Sequence, residues 1–369
     1  MLSDANQSPP LVDFDRYASD AALREAVAAY GAQAREPELR EIGLRAGSAE
    51  AIAWGDDANA HPPVLRAFDA RGNRIDEVDY HPSYHRLMAA ATRFGLHASS
   101  WSEPGAGAQV ARAAGFYLWS QVDAGHGCPI SMTHAAFPLL QRATALGTEW
   151  PAALLARSYD PSLRPIAQKG SALVGMALTE RQGGSDLRAN QTRALPLGAR
   201  GPGERYALDG HKWFCSAPMS DAFLVLAQAP DGLSCFFVPR VLEDGTRNPF
   251  PLQRLKDKLG NRSNASSEVE FEGTLGTLVG EEGRGIATIV EMVNLTRLDC
   301  TIGSAAGMRQ AALHAIHHAR HRSAFGAPLS EAPAMRAVLA DLALEAEAAI
   351  HLALRLARAL DGAAAGDIR

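Results

Sequence analysis

Two short segments in the middle of the chain contain the side chains with the most evident chemistry. The first is Thr179–Asp186, with the sequence Thr-Glu-Arg-Gln-Gly-Gly-Ser-Asp. Its two hydroxyl residues, Thr179 and Ser185, flank a glycine pair, which lets a backbone approach a phosphate closely and direct N–H and O–H donors at it. This pattern indicates a phosphate-facing loop, although Gly-Gly-Ser is also typical of a plain turn.

The second segment, His211–Ser216, supplies aromatic surface and another hydroxyl. Its sequence is His-Lys-Trp-Phe-Cys-Ser. A flat indole beside a hydroxyl is suited to contact with an aromatic cofactor ring. The alternative is that Trp213 and Phe214 belong to the core of a strand, where aromatic side chains are common.

Both segments lie where the pattern predicts strands, between about residues 169 and 280. Short apolar or alternating runs are bounded there by Gly, Pro, Asp or Asn. The predicted strands are 172–178, 205–208, 223–228, 234–238 and 268–271. Because no helices separate them, we expect a compact antiparallel barrel or sandwich.

Helical patterns dominate on both sides of this region. After an extended arm of about twenty residues containing Pro9 and Pro10, helical patches run to about residue 168, with Pro62–Pro63, Pro82, Pro104–Gly105, Pro129 and Pro151 marking connections. The segment 106–141 should be the most buried part of this half. Helical periodicity returns over 286–321 and 332–360. The predicted class is therefore α+β and multidomain, with a helical domain at 1–168, a β domain at 169–280 and a helical region at 281–369.

Composition sets limits on the function. The 369 residues include 47% hydrophobic and 21% charged residues, with a formal net charge of −5. These values are ordinary for a globular protein, and any attraction to nucleic acid would need a local basic patch. The four scattered cysteines suit reduced thiols, and the polar N-terminus lacks a secretory signal, so a cytoplasmic location is expected.

Together the two segments resemble the flavin motifs of the acyl-CoA dehydrogenase family, Thr-Glu-x-x-x-Gly-Ser-Asp and Gly-x-Lys-x-Trp-Ile-Thr/Ser. Gly210, Lys212 and Ser216 match the second motif, while Phe214 takes the usual Trp position, Trp213 precedes it and Cys215 replaces Ile. These departures, the paired glycines and the run 255–266 resemble the AidB branch, flavoproteins of the adaptive response to DNA alkylation. The resemblance extends from about Tyr80 to Asp361 and includes Cys128–Thr133 and Arg322–Gly326.

The resemblance implies an N-terminal helical domain, a middle β-barrel or sandwich, a partial C-terminal helical bundle and an FAD cofactor. It implies a homotetramer in which the Arg-x-x-Phe-Gly signature reaches the FAD of a neighbouring subunit. The alternative for that signature is a solvated helix-terminal charge followed by a plain C-cap. The implied cofactor-binding residues are Met176, Ala177, Leu178, Thr179, Glu180, Arg181, Gln182, Gly183, Gly184, Ser185, Trp213, Phe214, Cys215, Ser216, Arg322 and Phe325. Thr179, Ser185 and Ser216 would also face an acyl-CoA thioester substrate.

No catalytic residue is assigned by this resemblance. The family base is a Glu, either before the Arg of the first bundle helix, where this chain has Thr296, or in a later Trp-Glu-Gly or Tyr-Glu-Gly turn that the sequence does not contain. Asp299 matches neither pattern. We therefore expect weak α,β-dehydrogenation of an acyl-CoA. The alternatives are a DNA-associated protective flavoprotein without significant dehydrogenase activity, whose DNA surface lies mainly beyond this sequence, and a truncated, non-catalytic chain.

Three further patterns favour simpler interpretations. The stretch Gly105–Val110 lacks the third glycine of a dinucleotide fingerprint and follows no predicted strand. His314, His317, His318 and His321 share part of a helical face, but without a supporting carboxylate they are interpreted as interface or solvated residues and no metal site is predicted. Lys256, Lys258 and Arg262 could contact a phosphate of CoA or of nucleic acid, and a solvated surface loop is an equal alternative.

Overall fold

The structure is a computed structural model that describes residues 6–364. It contains two compact units. The helical unit consists of Met1–Ala53, Glu103–Ala124 and Leu298–Arg369, and the barrel unit consists of Trp54–Ser102 and Gly125–Arg297. The three-domain division at residues 168 and 280 stays a prediction.

Helices and strands follow the predicted helical, β, helical order. The helices are α1 (Ala21–Ala29), α2 (Glu36–Gly47), α3 (Ala49–Ala60), α4 (Pro82–Arg93), α5 (Ser99–Ser102), α6 (Ala108–Ser120), α7 (Gly127–Arg142), α8 (Glu149–Leu155), α9 (Gly285–His321) and α10 (Pro333–Ala364). The strands are β1 (Val64–Phe68), β2 (Arg74–Asp79), β3 (Val174–Ala177), β4 (Arg193–Pro196), β5 (Arg205–Ser216), β6 (Ala222–Ala229), β7 (Gly232–Pro239), β8 (Leu252–Leu255), β9 (Ser266–Val279), β10 (Ser323–Ala324) and β11 (Ala327–Pro328).

In the helical unit, α6 is the central helix and contacts α1, α2 and α10. Almost all of its residues are buried, as expected for this part of the chain. The N-terminus of α6 is satisfied by Asp361, whose carboxylate accepts the backbone N–H groups of Gln109 at 2.9 Å and Val110 at 3.4 Å. A carboxylate is favourable there because the first N–H groups of a helix have no partner within the helix. Helix α10 ends at Ala364, beyond the end predicted at Leu360.

The barrel unit is built on a sheet that closes on itself. Strand β6 pairs with β4, followed in order by β5, β9 and β7, and β7 pairs back with β6. Side chains alternate along each strand, so the sheet has two apolar faces. Phe223, Val225 and Phe236 belong to one core cluster, while Leu224, Leu226 and Phe237 pack in another with α7 and α8. The expected barrel is confirmed.

The barrel is antiparallel as expected, except at two pairings. Strand β3 runs parallel to β6 over four residue pairs, and β4 pairs parallel with β6 at Arg193 and Gln228. Parallel strands are commonly connected by a helix. Here the segment that contains β4 and β5 connects β3 to β6 instead. Strands β4 and β8, of four residues each, were not predicted.

A β-hairpin interrupts the N-terminal region that was expected to be helical. Strands β1 and β2 pair antiparallel, with Val64 opposite Asp79. The hairpin is joined to β8, because Leu252 donates its N–H to Asp76 at 2.8 Å and Arg74 donates to the Leu252 carbonyl at 3.0 Å. Gly72 lies in the turn at φ +83, a conformation that favours glycine. Pro62–Pro63 thus precedes a strand.

The other proline markers lie at or next to connections. Pro104–Gly105 lies between α5 and α6. Pro82, Pro129 and Pro151 lie in the first turns of α4, α7 and α8, where a proline removes no helix hydrogen bond. Among residues 6–364, none of the helices has the length and apolar character needed to cross a membrane.

Candidate functional site

The first motif forms the loop that follows β3. Alternate residues of this strand enter opposite cores, because Ala177 is buried in the cluster that contains Phe223 and Val225, whereas Met176 and Leu178 pack against the cluster shared with α7 and α8. The Leu178 carbonyl accepts a hydrogen bond from the Asn190 side chain at 2.9 Å. The side chain of Ala177 is therefore enclosed, and only its backbone is available to a ligand.

Glu180 anchors this loop from inside the protein. The residue is fully buried, and its carboxylate accepts hydrogen bonds from the Lys212 ammonium at 2.7 Å, the Thr192 hydroxyl at 2.6 Å and the backbone N–H groups of Gln191 at 2.6 Å and Thr192 at 3.1 Å. Burial opposes its ionisation, but the Lys212 cation and these hydrogen bonds hold the pKa of Glu180 below its usual value. Burial lowers the pKa of Lys212 to about 8, although the Glu180 carboxylate acts to raise it.

The Glu180–Lys212 ion pair also connects the two motifs. Beside it, Trp213 donates its backbone N–H to the Thr179 carbonyl at 2.8 Å, and Arg181 donates its N–H to the His211 ring at 3.1 Å. A buried ion pair with all its partners in place fixes backbone geometry, because breaking it leaves an uncompensated charge in the interior. The structure therefore brings together the two segments that the sequence singled out.

The outer part of the loop presents donors to solvent. Gly183 has φ +132, Gly184 and Ser185 are exposed, and a Cβ atom at Gly184 would lie 2.6 Å from the Thr179 hydroxyl oxygen. Within the described chain, the hydroxyls of Thr179 and Ser185 make no hydrogen bond, while the Asp186 carboxylate accepts the Arg188 N–H. This is a cradle that a side chain at position 184 would fill. Exposed hydroxyl and N–H donors around a glycine pair fit a phosphate or the polar edge of a flavin.

Gln182 and Arg181 have different surroundings within the same loop. The Gln182 amide donates to the Asn190 side chain at 3.1 Å, which braces the loop against its own C-terminal end. Both side chains are exposed, and the Arg181 guanidinium lies 5.6 Å from the centroid of the Trp213 ring. The glutamine is therefore a loop brace, and the arginine covers an aromatic ring.

The aromatic pair of the second motif is surrounded by cations. The Lys256 ammonium lies 3.6 Å from the centroid of the Trp213 ring and 4.5 Å from that of Phe214, and the Arg254 guanidinium lies 5.6 Å from Trp213. Glu268 holds Lys256 by an ion pair of 2.6 Å. The Trp213 indole is thus engaged by protein cations. Phe214 is 49% exposed, so it offers the accessible aromatic surface.

Cys215 and Ser216 complete the second motif. Cys215 is fully buried in the same core as Ala177, and burial raises the pKa of its thiol to about 12, so a ligand would meet its backbone alone. The Ser216 hydroxyl, on a half-buried residue, hydrogen-bonds the Ser266 hydroxyl at 3.0 Å. A hydroxyl can both donate and accept, so Ser216 retains capacity for a further partner.

The loop that contains Lys256, Lys258 and Arg262 is less solvated than a plain surface loop would be. The Lys256 side chain is 11% exposed and paired with Glu268, and Lys258 donates to the Asn264 carbonyl at 2.7 Å. Only Arg262 is an exposed cation of this group. Two of the three cations therefore have structural partners.

The Arg-x-x-Phe-Gly signature lies in the helical unit, where α9 ends. Arg322 donates its N–H to the His318 carbonyl and accepts from the Leu329 N–H, both at 2.8 Å. Phe325 and Gly326 form the turn between β10 and β11, with φ +54 and +85, so the C-cap alternative is wrong. The Phe325 side chain is fully exposed. A left-handed conformation is uncommon for an aromatic residue and costs free energy.

Neither position considered for the base is available for that role. Thr296 donates its hydroxyl to the Val293 carbonyl at 2.8 Å. Asp299 is buried and forms a two-pronged ion pair with Arg112, including one hydrogen bond of 2.7 Å. Asp299 is therefore a structural residue.

The histidines of α9 contact their own unit. His317 lies 2.8 Å from the Pro9 carbonyl, His318 lies 3.0 Å from the Ser8 hydroxyl, and His314 lies 2.8 Å from the Gln310 side chain. Over residues 6–364, no group of three or more His, Cys, Asp or Glu side chains could hold a metal ion. Gly105–Val110 follows helix α5 rather than a strand, as the sequence predicted.

Sequence reasoning missed the partners that hold the loop. Gln191 and Thr192 supply three of the four hydrogen bonds to Glu180, and neither belongs to a motif. The one signal was Lys212 immediately before the apolar strand residues Trp213, Phe214 and Cys215, since a charged residue buried in a strand requires a partner.

Three family models match successive parts of the chain. Residues 6–161 match the adaptive response protein AidB N-terminal domain, residues 175–274 the acyl-CoA dehydrogenase middle domain, and residues 283–367 the acyl-CoA dehydrogenase C-terminal domain. The matches cover both segments of the candidate site and the Arg322 turn.

Individual relatives agree with these models. The chain is 51% identical to AidB of Escherichia coli (strain K12) over 358 residues, which covers 96% of this chain and 65% of that protein. The Caenorhabditis elegans ACDH-11 structure, in complex with C11-CoA, superposes with a TM-score of 0.88 at 24% identity, covering 100% of this chain and 63% of that one. A Mycobacterium smegmatis glutaryl-CoA dehydrogenase in complex with FADH2 has a TM-score of 0.67 at 20% identity, covering 95% and 78% of the two chains. The chain thus spans just under two thirds of the length of the first two relatives.

Proposed function

Because the chain belongs to the acyl-CoA dehydrogenase family and has the AidB type of N-terminal domain, we propose that it binds FAD and oxidises the α,β bond of an acyl-CoA thioester. The observation that carries this proposal is the connection between the two motifs. The buried Glu180–Lys212 pair and the Trp213–Thr179 backbone hydrogen bond place an exposed donor loop beside an accessible Phe214. Hydrogen-bond donors that can bind a phosphate, next to an aromatic surface, suit a cofactor that has both a diphosphate and a flat ring system.

Each part of the site then has a defined role in holding the cofactor. The N–H of Gly184 and the hydroxyl of Ser185 bind the diphosphate, and the hydroxyls of Thr179 and Ser216 hydrogen-bond the polar edge of the flavin and lie nearest the thioester. Phe214 packs against the ring, supported by Trp213 and its cations. Bound FAD supplies the acceptor for the hydride that leaves the β carbon of the acyl group.

We propose that the activity of the described residues is weak, because neither Thr296 nor Asp299 can serve as the general base. Removal of the proton on the carbon α to the thioester needs a positioned acceptor. Thr296 cannot act as a carboxylate, and Asp299 is committed to Arg112. The residues of the site therefore account for binding and orientation of the cofactor better than for proton transfer.

The Arg322 turn supports an oligomer with shared sites. Arg322 has no acidic partner within residues 6–364, and Phe325 projects from a left-handed turn into solvent. We propose that these two side chains contact the FAD of a neighbouring copy in a homotetramer, with Arg322 beside the diphosphate. The protein works in the cytoplasm, where the thiols of its four free cysteines stay reduced.

A second candidate function is protection of DNA during alkylation stress. It is favoured by the match of residues 6–161 to the adaptive response protein AidB N-terminal domain. The net charge of −5 opposes strong nonspecific binding, so contact with duplex DNA would depend on a local patch such as that around Arg262. In this case FAD binding persists while dehydrogenation is insignificant.

Titration of the purified protein with FAD tests the primary proposal. We expect flavin fluorescence to be quenched in a saturable manner, and slow reduction of an electron-accepting dye when an acyl-CoA is added. A protein that neither carries flavin nor quenches added FAD would contradict the proposal. A gel shift with duplex DNA at low salt separates the two functions, since absence of a shift removes the DNA role from this chain.

A further inference from the structure

The N-terminal arm, residues 6–10, contacts the end of α9 next to the Arg322 turn. Within this arm, Asn6 hydrogen-bonds Arg322 and Ser323, which directly precede the turn. Its side-chain amide donates to the Ser323 carbonyl at 2.9 Å and accepts the Ser323 N–H at 2.6 Å. Paired bonds of this kind reproduce the pairing of a neighbouring strand and fix Ser323 from both sides.

The backbone of Asn6 then holds the arginine itself. The Arg322 guanidinium donates to the Asn6 carbonyl at 3.0 Å. Asn6 has φ +63, and asparagine is among the non-glycine residues that most readily adopt this left-handed conformation. The side chain of Asn6 therefore anchors the arm to Ser323 while its carbonyl holds the neighbouring Arg322.

Arg322 has donors left over for an anion. A guanidinium has five N–H donors, and in the described part of the chain the backbone carbonyl of Asn6 is the one acceptor that the Arg322 guanidinium contacts. A neutral carbonyl orients the guanidinium without neutralising it, whereas a carboxylate would compete with a phosphate. This is the arrangement expected of an arginine held ready for a phosphate.

We propose that Asn6 is a positioning residue that fixes Arg322 for the diphosphate of the FAD bound to a neighbouring copy. This inference rests on the proposed function. It assigns a role to the N-terminal arm, which lies far from both flavin motifs in sequence. The rest of the arm is attached nearby, since Ser8 contacts His318 and Pro9 contacts His317.

The test compares FAD affinity among variants of the whole protein. Asn6→Gly removes the amide but tolerates the left-handed backbone, and Asn6→Asp keeps the acceptor for the Ser323 N–H. Ser8→Ala is the matched control, because it removes one hydrogen bond of the same arm without touching Arg322. We expect Asn6→Gly to weaken FAD binding roughly tenfold, Asn6→Asp to weaken it less, and Ser8→Ala to leave it unchanged.

A double-mutant cycle with Arg322→Ala separates positioning from general stability. If Asn6 acts through Arg322, Asn6→Gly has no further effect on FAD affinity in the Arg322→Ala background. Hydrogen exchange at the Ser323 amide is faster in both proteins that carry Asn6→Gly, and it stays as in wild type in Arg322→Ala. Additive losses, or an unchanged FAD affinity in either single variant, would overturn the inference while leaving FAD binding intact. A wild-type protein that does not bind FAD would instead refute the proposed function, and the exchange rate at Ser323 would still report whether the Asn6 clamp forms.

Discussion

Replacing Glu180 by glutamine should detach the two motifs from each other. The variant keeps the side-chain shape but removes the charge that balances Lys212, and both residues are fully buried. Removing one partner of a buried ion pair costs about 3–5 kcal/mol. Because 1.4 kcal/mol is a factor of ten, local opening of the loop should become about a hundredfold to a few thousandfold more frequent.

Native-state hydrogen exchange measures this opening at the bonds concerned. The Gln191 and Thr192 amides donate to Glu180, and the Trp213 amide donates to the Thr179 carbonyl. In Glu180→Gln these three amides should lose protection by that factor.

A surface ion pair provides the matched control for this variant. Glu77→Gln removes a partner of Arg247 at 2.7 Å, and an exposed pair is worth at most about 1 kcal/mol. Exchange in the Glu180 loop should not respond to it. Protection of the loop amides in Glu180→Gln that stays within a few-fold of wild type would refute the anchoring role of the buried pair.

Three further predictions concern the same site. Gly184→Ala places a Cβ atom 2.6 Å from the Thr179 hydroxyl oxygen and should weaken FAD binding about tenfold, whereas Gly198→Ala, which meets open space, should not; equal FAD affinities measured by fluorescence titration would contradict this. Phe214→Ala should weaken FAD binding about three- to tenfold, since aromatic contacts contribute about 0.5–1.5 kcal/mol. Because the Phe214 side chain is half exposed, the thermal unfolding midpoint of the Phe214→Ala protein should stay close to that of wild type. A large fall in this midpoint would show that Phe214 belongs to the core instead. The pKa of Glu180 lies below its usual 4.5 in the folded protein, so its stabilising effect is complete at neutral pH and lost as pH falls below about 4.5. The difference in thermal midpoint between wild type and Glu180→Gln should therefore shrink in acid. A difference independent of pH would contradict stabilisation by the ionised Glu180 carboxylate.

The sequence predicted the parts of the site that depend on local backbone chemistry. A glycine pair between hydroxyl residues allows the tight backbone of a donor loop, and within the described chain the hydroxyls of Thr179 and Ser185 make no hydrogen bond. Both long helices were predicted, since α9 and α10 have sustained periodicity, although α10 extends beyond the predicted Leu360 to Ala364. The Arg-x-x-Phe-Gly signature was found by its motif, and the structure rules out the C-cap that was its alternative interpretation.

What the sequence did not predict depends on contacts between distant segments. The Glu180–Lys212 pair joins residues 32 positions apart, and their charges alone do not show that both are buried. The parallel pairing of β3 with β6 joins two segments that β4 and β5 separate in sequence. The β1–β2 hairpin was missed because alternation over five or six residues was outweighed by helical patterns on both sides, although Asp69–Asn73 carries a turn signal in Gly72.

The arm contact with Arg322 was equally beyond sequence reasoning. Asn6 and Arg322 are separated by 316 positions, and an isolated asparagine in a polar arm carries no pattern. Such an interaction becomes visible only when the fold has placed the arm beside α9.

Hydrogen exchange of the wild-type protein with and without FAD tests the central claim most directly, because it locates the cofactor on the chain. If the two motifs form the flavin site, FAD should slow exchange over residues 178–186 and 213–216 together. Binding of FAD that leaves both segments unchanged, or that protects other parts of the barrel unit alone, would contradict the account.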